Sequence, residues 1–170
     1  MNRALVLATG WLLLGLAGCK PEATTTAPAP QEVSDSAKGE FCGMLLTEHS
    51  GPKGQIFVRG QAAPFWFASV RDTLAFLRLP EMPKNVVAIY VNDMGRARNW
   101  DQPEPGTWVD ARRALYVIGS RRRGGMDTEE AVPFAVPAAA QRFAEANGGR
   151  VVRLADIPDS YIFPDQGSGT

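Results

Sequence analysis

The chain has 170 residues, with 18 basic side chains, 18 acidic ones and a single histidine. Such a balance supplies no global electrostatic reason to bind nucleic acid, and one histidine excludes most histidine-rich metal sites. There is no CxxC pair, Walker loop or GxSxG turn either.

Met1 to Arg3 give a short, singly positive n-region, and Ala4 to Leu16 run almost without a polar side chain. That apolar run is too short to span a bilayer as a stable helix and suits a signal-peptide h-region. Leu16-Ala17-Gly18-Cys19 follows it directly and resembles a lipobox. Residues 1–18 are therefore read as a lipoprotein signal peptide, with Cys19 as the lipidated first residue of the mature protein. An ordinary secretory signal is the alternative, but the apolar run stops at the cysteine. Acyl chains on Cys19 would hold the protein on the periplasmic side of a membrane. Lys20, with no aspartate at the second mature position, favours the outer membrane. Cleavage removes only Arg3, leaving 17 basic against 18 acidic residues. Residues 20–40 contain no aromatic residue and one β-branched aliphatic, Val33, so 19–40 is expected to be a flexible linker.

Beyond it, Gln55 to Arg59 alternates polar and apolar as a half-buried strand does, and Pro64 to Ala68 gives a second strand. Ser69 is placed to cap a helix reaching about Leu79, with Val70, Leu74 and Leu77 on one face and Pro80 and Pro83 ending it. Asn85 to Val91 is a third strand, turning out at Asn92 to Gly95. The order then repeats. Ala114 to Gly119 is a strand, a glycine-rich loop leads to a short strand at Pro133 to Ala135, Pro137 opens a helix ending at Asn147-Gly148-Gly149, and Arg150 to Leu154 closes the unit. Phe67, Ala68 and Phe76 match Phe134, Ala135 and Phe143 at a constant offset. The expected fold is α+β: two tandem ββαβ units in one compact region at 41–163, unit one about 41–95 and unit two about 107–160. A disordered tail at 164–170 completes the chain. Trp100 and Trp108 flank the proline-rich crossover Asp101 to Gly106 and are expected to pin it.

Cys42-Gly43-Met44 with His49 is the sharpest local feature. With Cys19 consumed by lipid, Cys42 is a lone thiol in an oxidising compartment. Thiolate and thioether two residues apart can face the same way along an extended segment, and Gly43 permits a tighter turn. Soft sulfur donors favour Cu(I), with imidazole compatible. The bland reading is that Cys and Met are simply buried. His49, in a glycine-bounded segment, is not expected in the core. Met126, in Arg121 to Glu129 with no apolar periodicity, is a second sulfur candidate; Met94 is the next, and Met82 reads as packing. Arg121 to Arg123 reads as a solvated loop. The rival is a thiol-dependent enzyme with Cys42 as nucleophile and His49 as base, for which no residue that would orient the imidazole is evident. A structural lipoprotein without a site is the third reading.

Taken together, FCGM…HSGPKGQI, PFWFASVRDTLAFL, AIYVNDMG…NWDQPEPGTWVDA, YVIGS, GGM…E…PF and GGRVV resemble the NosL family, accessory lipoproteins of nitrous oxide reductase, across nearly all of 41–163. The resemblance implies a Cu(I) chaperone without enzymatic activity that serves assembly of that reductase's copper sites. It also implies a pair of ββαβ units similar to part of organomercury lyase. The partners it implies are a membrane transporter with its periplasmic subunit, and the reductase itself. Cys42 and Met44 match the family's CGM, His49 the histidine after it, and Met126 the later glycine-flanked methionine. The resemblance also implies a glycine after that methionine. Asp127 stands there in this chain, a departure that bears on the geometry of Met126.

Overall fold

Among the described residues, six of the seven strands and the two principal helices follow the order that the sequence pattern predicts. The computed structural model describes residues 27–163; the expected signal peptide, Cys19 and the expected tail from 164 lie outside the described residues. In the first unit, β1 (Gly54–Val58) pairs antiparallel with β2 (Phe65–Phe67) on one side and β3 (Val86–Asn92) on the other, with α1 (Val70–Arg78) between β2 and β3. In the second unit, β5 (Leu115–Ile118) takes the same central place between β6 (Val132–Phe134) and β7 (Arg150–Arg153), with α2 (Pro137–Asn147) before β7. Both units are therefore ββαβ, with the first strand in the middle of its sheet. The matched phenylalanines make the same contact twice: Phe67 and Phe76 have ring centroids 5.2 Å apart, and so do Phe134 and Phe143. A short helix, α3 (Asp159–Ile162), ends the described chain.

Helix boundaries follow the local chemistry. Ser69 accepts a hydrogen bond from the Asp72 N–H at 3.0 Å, so α1 starts where an N-cap residue stands. Pro137 opens α2, and Gly148, at φ 76°, ends it. The two hairpins differ in their connections, residues 59–64 in the first unit and 119–131 in the second, and the longer one carries Met126.

The units are not independent. The principal core mixes Ile56, Phe67, Leu74 and Val91 of the first with Tyr116, Ile118, Val152 and Ile162 of the second. Two carboxylates cross between them. Asp93 accepts from the Ala135 N–H at 3.1 Å just before α2, and Glu130 accepts from the Val70 N–H at 3.2 Å at the start of α1.

Three expectations need correction. β4 (Trp108–Asp110) pairs with β3, so the first sheet runs on past the expected start of the second unit near 107. Trp108 is thus a strand residue, while Trp100 does pin the crossover: its carbonyl accepts from Gly51 N–H at 3.0 Å and its Nε1 donates to the Arg123 carbonyl at 3.2 Å. The described part of the expected linker 19–40 is also not a linker, because residues 28–38 lie along the first sheet. Gln31 and Gln55 exchange two hydrogen bonds, backbone N to Oε1 at 2.8 Å and Nε2 to backbone O at 2.9 Å. Tyr90 donates to the Pro28 carbonyl, Glu32 accepts from Gly106 N–H and Trp108 Nε1, and Ala37 is buried. Gln55, read as the polar face of a half-buried strand, is consequently fully buried. A strap held by polar bonds needs few apolar residues of its own, which is why composition suggested disorder.

Candidate metal centre

The strap runs directly into the turn that carries Cys42. Lys38 and Leu45 form an isolated antiparallel bridge, the Met44 carbonyl accepts from Gly39 N–H at 2.9 Å, and the Gly39 carbonyl accepts from Gly43 N–H at 2.8 Å. Gly43 has φ 67°, a left-handed conformation that glycine adopts without steric cost. Cys42-Gly43-Met44 is therefore the tight turn that Gly43 permits and not an extended segment.

Cys42, half-buried and a free thiol, has its Sγ 3.9 Å from His49 Nε2 and 4.0 Å from the Gly39 carbonyl oxygen. A short 3-10 turn, Leu46–Glu48, sends His49 back toward the sulfur. His49 is only 6% exposed, against the expectation that this segment avoids the core. Metal bonds of about 2.3 Å to thiolate and 2.0 Å to imidazole are usual for a comparable ion. A single ion can thus reach both donors with small side-chain adjustments. Met44 closes the turn and is 42% exposed; Phe41, before the cysteine, is 43% exposed with its ring edge on Phe67.

The second unit reaches this place through its long hairpin connection. Gly125 packs so closely that a Cβ there would lie 2.8 Å from the Ala68 carbonyl oxygen and 3.5 Å from His49 Cβ. Met126 follows it in the 3-10 turn Gly125–Asp127. Asp127 has φ 54°, the one positive φ among described non-glycine residues, so the position after the methionine needs the conformation a glycine adopts most readily. Met94 stands elsewhere, packed against the second core cluster with Phe134 and Val117, and Met82 packs against the principal core as expected.

Two buried ionisable groups beside the site had no sequence signal strong enough to single them out. Lys53 donates from Nζ to the carbonyls of His49 at 2.7 Å and Gly51 at 2.6 Å, fixing the backbone on which the imidazole sits. Burial pulls its pKa down to about 8, with Glu130 and Asp101 acting in the opposite sense. The carboxyl of Glu130 accepts from three backbone N–H groups, those of Val70, Arg71 and Ala131. Burial nevertheless pushes it up to about 8. Asp72 is also raised by burial, against lowering by Ser69, Arg71 and His49. Among the described residues, no group of three His, Cys, Asp or Glu side chains is arranged to hold a metal ion, and no helix is long and apolar enough to cross a membrane.

Comparison with known proteins adds a decisive observation: the family model described as NosL matches residues 30–162. The chain belongs to the NosL family. It is 45% identical over 156 residues to the copper-binding lipoprotein NosL of Achromobacter cycloclastes, covering 91% of this chain and 80% of the relative. To the copper-binding lipoprotein NosL of Stutzerimonas stutzeri it is 34% identical over 152 residues, covering 89% and 78%. Its fold matches the crystal structure of the copper chaperone NosL from Shewanella denitrificans with a TM-score of 0.72 and 32% identity, over 78% of this chain and 97% of that one. The family match begins at residue 30, inside the strap, so the NosL unit includes chain that composition alone assigned to the linker.

Proposed function

We propose that this NosL-family protein binds Cu(I) and delivers it to the machinery that assembles nitrous oxide reductase, anchored by lipid on Cys19 at the periplasmic side of a membrane. Lys20 favours the outer membrane. The tether is the stretch from Cys19 to the strap. Its docking partners are the membrane transporter with its periplasmic subunit and the reductase.

One observation carries the reading: Cys42, the free thiol among the described residues, lies 3.9 Å from the chain's single histidine, and the next side chain on its turn is an exposed thioether. Cys42 thiolate is the anchoring donor, and His49, Met44 and Met126 are the donors from which the rest of the set is drawn. The soft character of this set suits Cu(I) over Zn(II) or harder ions. A site drawing on an exposed methionine at a turn leaves the ion open on one side, which lets a partner's ligands replace the chaperone's stepwise.

The thiol-enzyme reading gains an acid near the histidine in Asp72, but among the described residues no hydrogen bond joins the two, and a nucleophile has no use for a thioether beside it. Binding and delivery, without catalysis, accounts for more of the turn.

The deciding experiment is anaerobic Cu(I) titration of the soluble protein from residue 20, wild type beside Cys42→Ser, with Zn(II) as competitor. One Cu(I) per chain, bound far more tightly than Zn(II) and nearly lost in Cys42→Ser, is the expected result. Tighter binding of Zn(II), or full Cu(I) binding by Cys42→Ser, would sink the assignment.

A further inference from the structure

We propose that Glu130 is a positioning residue for the metal site: its carboxyl clamps the second unit's long hairpin connection onto the first turn of α1, and so fixes where the Met126 backbone stands relative to Cys42 and His49. This rests on the copper reading above and extends it to a residue that touches no metal donor.

The clamp is built from contacts on both sides. Oε2 accepts from Val70 N–H at 3.2 Å and Oε1 from Arg71 N–H at 3.1 Å, both in the first turn of α1, while Oε1 also accepts from the neighbouring Ala131 N–H at 2.8 Å. Behind it, Tyr161 donates to the Glu130 carbonyl at 2.9 Å. The loop is closed at its neck by the Arg123–Glu129 bridge and by Gly124 N–H donating to the Thr128 carbonyl at 3.0 Å. Its backbone lies flat on the carboxyl: a Cβ at Gly124 would stand 2.3 Å from Oε2. The next residue, Gly125, meets Ala68 and His49, and the one after it is Met126. Loop, carboxyl, helix start and the His49 Cβ thus lie in one contiguous stack.

The alternative is that Glu130 merely completes the cap of α1. Ser69 already supplies the side-chain cap. A buried carboxyl is also a costly means of satisfying two more N–H groups. A cap alone would make stability depend on Glu130 but would not couple it to Met126.

That coupling is the test. Cu(I) affinity of the mature protein is measured by chelator competition for wild type, Glu130→Gln, Met126→Leu and the double variant, with the sulfur neighbours of copper counted by X-ray absorption. Gln keeps the volume but offers one acceptor oxygen where two are used. Glu130→Gln should weaken Cu(I) binding roughly 10–100-fold, as loss of a ligand-orienting partner usually does. It should also remove one sulfur from the copper shell and add little on the Met126→Leu background. A full multiplicative loss on that background, or an unchanged sulfur count, overturns the proposal and leaves Glu130 a structural cap. Should Glu130→Gln fail to fold, Gly124→Ala takes its place. Its φ of −91° admits alanine, and the added methyl must displace either the loop or the Glu130 carboxyl, parting the two in either case. Wild-type copper binding by a folded Gly124→Ala would refute the clamp. If Cys42→Ser binds copper as wild type does, the copper reading fails as well; if only the Glu130 and Gly124 variants are silent, the clamp alone fails.

Discussion

Replacing Gln55 with alanine should loosen the N-terminal strap and, through it, the turn that carries Cys42. The two bonds between Gln55 and Gln31 are the strap's most regular attachment, and Gln55 has no exposed surface to give its amide an alternative in water. A net contribution of about 0.5–1.5 kcal/mol per hydrogen bond puts the loss at about 1–3 kcal/mol. The lower half of that range is favoured, because the Gln31 backbone groups become hydrated once the strap lifts. Tyr90 and Trp108 still hold Pro28 and Glu32, so the strap should open locally and not detach. Urea unfolding gives the global loss, and amide hydrogen exchange over residues 28–38 gives the local one. Faster exchange should spread to Leu46, whose N–H bonds the Ala37 carbonyl at 2.9 Å. Free-peptide exchange over 28–38 already in the wild type would refute the reasoning, as would unchanged stability and exchange in Gln55→Ala.

Each unit expressed alone should be unfolded or molten by near-UV circular dichroism and proteolysis, because the principal core is made from both; a cooperative melt of either half would contradict a shared core. Stability of the apo-protein should fall as pH rises from about 4.5 to about 8: Glu130 binds its proton more tightly folded than unfolded, so the folded state holds more protons across that window. Glu130→Gln should flatten that part of the pH–stability curve, and an undiminished slope would remove Glu130 as its source. Cys19→Ala should abolish fatty-acid labelling and membrane fractionation, and a variant that still labels would disprove the lipobox.

Much of the fold was legible because periodicity and punctuation agreed. β1 and β3 fall within a residue of the alternating segments read from the chain, Ser69 and Pro137 stand where the helices begin, and the repeated Phe-Ala…Phe spacing marks the same ring contact in both units. The strap was not legible, because a glutamine side chain exchanging bonds with backbone leaves no hydrophobic signature. Nor was β4, three residues long and called into strand form by β3 beside it. At the site, the CGM turn and the single histidine were visible as rare residue types in an unperiodic stretch. Lys53 and Glu130 were not, since a charged residue beside an apolar run ordinarily faces water. Only the fold shows that each one is buried against backbone groups.

Asp127 offers a way to ask whether an aspartate, where the resemblance to the family implies a glycine, disturbs the site. A left-handed backbone costs an ordinary L-residue about 1–2 kcal/mol, whereas aspartate tolerates it better and glycine does so freely. At φ 54°, Asp127 already holds the conformation that a glycine would supply, so the turn after Met126 forms with aspartate in place. Asp127→Gly should therefore leave Cu(I) affinity unchanged, and relief of the backbone should be offset by the greater freedom of glycine in the unfolded chain, for a net change within about 1 kcal/mol. Asp127→Val, β-branched and poorly suited to positive φ, should cost about 1–2 kcal/mol and weaken Cu(I) binding by reopening the turn. Chelator competition and urea unfolding of the two variants read both effects. A large gain in affinity for Asp127→Gly would mean that aspartate had displaced the Met126 loop, and the turn drawn here would then be wrong. Equal affinity in all three proteins would mean that the conformation of this turn is irrelevant to copper, which would remove Met126 from the donor set.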